Sequence, residues 1–386
     1  MFTFARTFCL PVMNRILSCL ILLAALFCNC RQERQPAAGD AFTSDTVRYA
    51  RGIAIERYAD YIIADVRDPW DGTRLLQRYV LVERDKPLPA DLPAGTTVRI
   101  PVRNVTVYSS VHAGIFDLLG EADRITGLCE VRYLTVPSLC EAVRTGRIAD
   151  MGETMSPNIE KMIDIGTEVV IASPFQNNSY GAVEKTGIPI VEGADYMESH
   201  PLGRSEWIRF YGLLVGKEAA ADSIFRATEQ RYLALKALAA NAAVRPTVFA
   251  EKQYGSTWWV SPADSYTATL FRDAGADYVF NDRAGTEAVP LSFETVLDKA
   301  IRADFWLIKY IQDDDMTYAD LRAEYPAYEH FDAFKNRRIF ACNTGKVPYY
   351  EESPVYPERL LKDFVRIFHP ELLPDYTPRY YKPVND

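Results

Sequence analysis

Few residues of this 386-residue chain have the types and spacing that catalysis or metal binding requires. Histidine is scarce: His112, His200, His330 and His369 are the whole supply. A transition metal held mainly through imidazoles needs more of them, and closer together. Of seven cysteines, four lie in the first thirty residues, leaving Cys129, Cys140 and Cys342, whose spacing fits no metal pattern. Cys129 and Cys140 either bridge in an oxidising envelope or stay as thiols. The stretch GLLVGKE (212–218) has three residues between its glycines and Glu218 after the lysine. A phosphate-binding loop needs four, and a Ser or Thr to hold Mg²⁺. No G-x-S-x-G and no H-E-x-x-H occurs, and no carboxylate pair stands out as an acid–base dyad. Catalysis on this chain is therefore the weaker reading.

One pair of carboxylates is marked by repetition. SPNIEKMIDIGTEVVIA (156–172) and SFETVLDKAIRADFWLI (292–308) share one grammar: a Ser, a Glu, a short amphipathic run, an acid, then an apolar run. Ser156 is expected to cap the first helix, with Pro157 at its first position. Glu160 and Glu294 then fall in first turns, where the helix dipole favours a negative charge.

The elements around these residues are legible from periodicity. Arg15 precedes an apolar run ending at Cys28 and Cys30, which reads as a secretory leader (1–30). Its end resembles a lipoprotein signal, with Cys30 as the acylated residue and Cys28 the alternative. An ordinary secretory signal cut nearby is the other reading. Residues 31–45 are polar and read as a tether. Residues 46–104 alternate apolar and polar, the pattern of a small antiparallel β appendage. Strands alternating with short helices over 105–202 and again over 244–386 imply two α/β lobes with parallel sheets. Between them, 203–243 is helical. A stripe from Ala221 to Leu238 predicts one bridging helix over about 218–240. Net charge is −9, with no basic footprint for nucleic acid.

This order, with GRSEWIRFYGLLVGKEAAAD leading into the bridge and SPADSYTATLFRDAGADYVFND in the second lobe, resembles the substrate-binding proteins of ABC importers for iron chelates, haem and vitamin B12. The resemblance covers roughly residues 104–370. It implies a ligand cleft between the lobes, and it implies that Glu160 and Glu294 dock on arginines of a membrane permease. A carboxylate pair on a rigid frame suits bidentate pairing with guanidinium forks. It also implies an envelope location, a lipid anchor in the membrane, a monomer and no cofactor.

In such folds the ligand sits beyond the C-terminal ends of the strands. That selects Ser109, Ser110, His112, Tyr133, Glu153 to Met155 and Phe175 to Asn177, including Gln176, in the first lobe. In the second it selects Lys252, Tyr254, Trp258, Trp259, Tyr349 and Tyr350. The aromatics suit a flat or bulky chelate, and alternation along the strand allows at most one of Trp258 and Trp259 to reach it. His112, at the start of a helix, is expected to face the cleft. Haem-binding members place a Tyr after the Gly where this chain has Glu153, so a ferric siderophore or a corrinoid is expected before haem. Arg132 and Lys252 are the evident cations. The alternatives are a haem- or iron-scavenging surface lipoprotein acting without a permease, and an enzyme on the same fold.

Overall fold

The computed structural model describes residues 43–386, apart from Thr46, Asn177 and Asn178. Cys28, Cys30 and most of the tether lie outside the described residues, as does Asn177. The first sheet holds β1 (Thr43–Ser44), β2 (Ile53–Arg57), β3 (Ile62–Arg67), β4 (Leu75–Glu83) and β5 (Thr96–Ile100), in that spatial order. Antiparallel pairing was expected throughout, but β4 and β5 run parallel, with Tyr79 opposite Thr96. The reason lies between them: Arg84 to Gly95 contains Pro87, Pro89 and Pro93. That connection is long enough to return the chain to its starting end, as a parallel pair demands.

The first sheet does not stand apart. Ile55, Val66, Tyr79, Leu81 and Val98 are buried in one core with Val105, Val107, Trp207, Phe210 and Tyr211. The Tyr79 hydroxyl accepts from the Glu192 N–H at 2.7 Å. Two buried glutamates clasp the entering chain. Glu206 accepts from the backbone N–H groups of Arg48, Tyr49 and Ala50, and Glu198 from those of Arg51 and Gly52.

The first lobe carries β6 (Val105–Val107), β7 (Ile125–Leu128), β8 (Ala149–Asp150), β9 (Val169–Ala172) and β10 (Ile190–Glu192), all parallel, in the order β10-β9-β6-β7-β8. The second contains β11 (Thr247–Ala250), β12 (Gln253–Tyr254), β13 (Thr257–Val260), β14 (Asp277–Tyr278), β15 (Val289–Leu291), β16 (Phe305–Tyr310), β17 (Ile339–Asn343) and β18 (Lys382–Pro383). Its main sheet runs β14-β11-β16-β17-β18, parallel except for β18, and β12-β13-β15 forms a small antiparallel sheet beside it.

Gly216, in the left-handed region at φ 72°, ends the helix Ile208–Val215. The bridging helix then spans Glu218–Ala239, 22 residues, or about 33 Å at 1.5 Å per residue. Its buried stripe serves two cores. Ala221 and Phe225 pack into the first lobe, while Tyr232 and Ala239 pack into the second. A helix embedded at both ends resists the hinge motion that a bare strand would allow.

Candidate ligand cleft and docking helices

The two docking candidates have the same local construction. Asn158, not Ser156 as expected, caps the helix Ile159–Asp164, its side chain accepting from the Lys161 N–H at 3.0 Å. The chain stays extended for two residues longer than the Pro157 signal implies. Ser292 caps Phe293–Ala300 in the same way, accepting from the Thr295 N–H at 3.3 Å. Glu160 and Glu294 therefore both stand at the second helical position. Both are exposed, and among the described residues neither makes an ion pair. The Glu294 backbone N–H and the Ser292 hydroxyl hold the Glu294 carboxyl below the ordinary glutamate value.

Several residues selected beyond the strand ends are exposed, as a ligand surface requires. Tyr133 follows β7, Met155 and Phe175 follow β8 and β9, and Tyr350 follows β17. Tyr254, at the end of β12, is 82% exposed, and Gln176 is exposed beside Phe175. Met155, Phe175, Tyr180 and Ile159, the last on the helix that bears Glu160, line a cavity of about 290 Å³. The Arg132 guanidinium lies over the Tyr133 ring, 4.8 Å from its centroid, and Lys252 is tied to Glu324. Trp259 is half exposed, but its neighbour across the sheet is Pro290 on β15. It therefore stands by the strand that leads into the helix bearing Glu294.

Other selected residues are not at a surface. Trp258 is fully buried, its indole N–H donating to the Ala250 carbonyl at 3.1 Å among Phe249, Trp306 and Phe331. It is a core residue, and alternation along β13 assigns the outward position to Trp259. Tyr349 and Ser110 are buried too. Ser109 caps the helix Ser110–Leu118, and its hydroxyl lies 3.1 Å from His112 Nδ1.

His112, expected to face the cleft, is fully buried instead. Its Nε2 lies 3.9 Å from Asp195 Oδ1, beyond hydrogen-bond reach. Tyr211 donates its hydroxyl to that same oxygen at 2.9 Å, and Arg204 approaches the other. Burial pushes the Asp195 carboxyl up, yet the neighbouring His112, Arg204 and Tyr211 together leave it below the ordinary value. A Cβ on Gly193 would fall 2.1 Å from the Tyr211 hydroxyl, so the cluster closes only over a glycine. Cys129 and Cys140 are both free thiols, so the bridging alternative fails.

Two glutamates that the sequence did not bring forward stand at strand ends. Glu130 and Glu251, just past β7 and β11, hold left-handed backbone with φ of 55° and 66°, a region that non-glycine residues rarely occupy. Glu130 pairs with Arg132 at 2.9 Å, and Glu251 pairs with Lys309 on β16. Burial works against the Lys309 charge, but Glu251, with Tyr349 and Tyr350, outweighs it and the Lys309 pKa is raised. Ile311, exposed just beyond β16, was also missed. Its place as the first residue past an apolar run was the available signal.

Comparison with known proteins agrees with this geometry. Residues 105–344, more than half of the chain, match the family described as periplasmic binding protein. An uncharacterised lipoprotein of Methanocaldococcus jannaschii is 26% identical over 76% of this chain and 73% of its own length. A second from the same organism is 25% identical over 91% and 89%. Among solved structures, a periplasmic binding protein from Veillonella parvula aligns with 86% of this chain and 99% of its own (TM-score 0.58, 14% identity). A protein of the ABC-type Fe³⁺-hydroxamate transport system of Saccharomonospora viridis aligns with 70% and 94% (TM-score 0.55, 16% identity). The haem-complexed IsdE of Staphylococcus aureus aligns with 69% and 99% (TM-score 0.54, 17% identity). The solved structures share the fold of this chain. The chain belongs to the periplasmic binding protein family.

Proposed function

We propose that this protein is the extracytoplasmic substrate-binding component of an ABC importer, anchored by lipid at Cys30 or Cys28. It captures a metal chelate, a ferric siderophore or a corrinoid, between its lobes and hands it to a membrane permease. The observation that carries this reading is the matched construction of Glu160 and Glu294. Two exposed carboxylates, with no ion pair among the described residues, stand at the same helical position, one on each lobe. A rigid frame presents both at a fixed spacing to a partner's guanidinium forks. Exposed rings from both lobes, among them Tyr133, Phe175, Tyr254 and Tyr350, supply stacking area for a bulky chelate. Haem fits less well: Glu153 follows Gly152 and is tied to Arg132, and His112 is buried. The lipoprotein relatives support the anchor, and the hydroxamate-transport and haem-complexed neighbours support the cargo class.

The test separates capture from delivery. Exchanging both residues (Glu160→Arg with Glu294→Arg) abolishes uptake in cells that depend on this protein, while the purified variant binds its chelate as before. Uptake that survives the exchange removes the permease from the mechanism and leaves a scavenging lipoprotein. Tryptophan fluorescence titrated with cobalamin, haemin and ferric siderophores, corrected for absorbance, identifies the cargo.

A further inference from the structure

Four cations beyond the strand ends of the two lobes are neutralised within the protein. Arg132 lies 2.9 Å from Glu130 and 2.7 Å from Glu153, so two acids flank one guanidinium. Lys252 pairs with Glu324, Lys309 with Glu251, and Lys346 with Asp315. Arg283 after β14, Lys161 on the helix after β8 and Lys185 between β9 and β10 pair with no acid among the described residues, Lys161 donating to the Asp150 carbonyl instead. Against these three, Glu160, Glu184, Asp313 and Asp314 pair with no cation there. The strand-end loops thus offer a multiply charged anion no net free positive charge, and the unpaired acids repel it.

Local backbone indicates that this neutralisation is built in. In each lobe the acid that holds the cation, Glu130 or Glu251, sits in left-handed backbone. For a glutamate that conformation costs free energy, and it persists only where the surroundings enforce it. What these loops expose is ring surface: Tyr133, Phe175, Tyr254 and Tyr350.

On the metal-chelate reading above, we propose that the cleft selects a chelate with no net negative charge, neutral or cationic, held chiefly by aromatic stacking. A neutral ferric trihydroxamate or a corrinoid fits this chemistry, and a ferric tricatecholate carrying three negative charges does not.

The experiment is a fluorescence titration of the full mature protein with four probes, at low salt and at physiological salt. They are a neutral ferric trihydroxamate, a monocationic ferric trihydroxamate, a trianionic ferric tricatecholate and cyanocobalamin. A neutral or cationic probe is expected to bind at least about 100-fold more tightly than the trianion, because like charges in a partly desolvated cleft repel strongly. The gap narrows as salt screens the repulsion. The variant Glu130→Gln with Glu153→Gln keeps its side-chain acceptors but releases Arg132. The ratio of trianion affinity to neutral-probe affinity should then rise about tenfold or more, the asymmetry expected of a freed cation. A trianion that binds the parent as well as the neutral probes overturns the charge selection and leaves the chelate reading standing. So does a double variant with no gain in that ratio. Binding of none of the four probes overturns the chelate reading itself.

Discussion

Glu351 and Thr135 are joined across the two lobes: Glu351 Oε1 accepts from the Thr135 backbone N–H at 2.9 Å and from its hydroxyl at 3.0 Å. The same short helix, Tyr349–Glu352, lies so close to Ser110–Leu118 that a Cβ on Gly114 would fall 2.5 Å from the Glu351 Cβ. The second lobe is thereby fastened to the first at a point away from the bridging helix.

Burial raises the Glu351 pKa above its ordinary 4.5, against the hydrogen bonds from Thr135 that lower it. The folded state therefore binds this proton more tightly than the unfolded chain does. Its contribution to stability falls as pH rises from about 4.5 through the folded value. Glu351→Gln keeps the acceptor and does not titrate. Its Tm relative to the parent should climb as pH rises over that window and stay level below it. Calorimetry at several pH values reads this directly, and an opposite slope refutes the assignment. Glu351→Ala strands both Thr135 donors and should cost roughly 1–3 kcal/mol.

That fastening and a helix embedded in both cores predict limited closure. Small-angle scattering of the mature protein with and without a saturating chelate should show only a slight contraction. A large one would mean that the bridging helix bends or that the Glu351 contact opens.

Trp258 and Tyr254 should separate stability from binding. Trp258→Ala empties a packed aromatic core and should cost about 3–5 kcal/mol. Tyr254→Ala removes a side chain that touches little, so stability should change by no more than about 0.5 kcal/mol. If Tyr254 stacks on the cargo, chelate affinity then falls about tenfold, the scale of a lost ring contact. Denaturant melts paired with ligand titrations on both variants decide the matter.

Thiol labelling tests the cysteines. Burial pushes the Cys129 and Cys342 thiols up to about 12, so neither offers thiolate to a reagent at neutral pH. Cys140 is exposed. A protein beginning after Cys30 should take one maleimide when native and three when unfolded without reductant. Only one under both conditions would indicate a Cys129–Cys342 bond or oxidation of both buried thiols.

The Glu206 clasp predicts that the entering chain is structural. Its carboxylate collects three consecutive backbone N–H groups from Arg48 to Ala50. Glu206→Ala leaves these without acceptors, which should destabilise by about 1–3 kcal/mol and quicken proteolysis near Arg48 and Arg51. Unchanged cleavage there would show that the first sheet holds this segment without the clasp.

What the sequence determined is what depends on neighbours along the chain. Strand and helix alternation, the bridging stripe and the breaking of the helix at Gly216 come from periodicity and backbone preference. The first-turn placement of Glu160 and Glu294 is equally local, because it depends only on a cap one or two residues away. Even there the cap moved from Ser156 to Asn158, since a proline permits a helix start without requiring one.

Tertiary structure decided everything that depends on distant partners. Which of Trp258 and Trp259 faces the core follows from the packing of β13 against Phe249, Trp306 and Phe331. His112 looked like a cleft residue because it begins a helix after a strand. It is buried because Gly193, Asp195 and Tyr211, about eighty to a hundred residues later, close over it. Glu130 and Glu251 gave no signal, because left-handed backbone at a glutamate is imposed by its surroundings, and Glu153 reaches Arg132, and Glu251 reaches Lys309, only once the strands lie side by side. Charge along a chain adds up residue by residue, whereas charge in a cleft depends on which residues the fold has already paired.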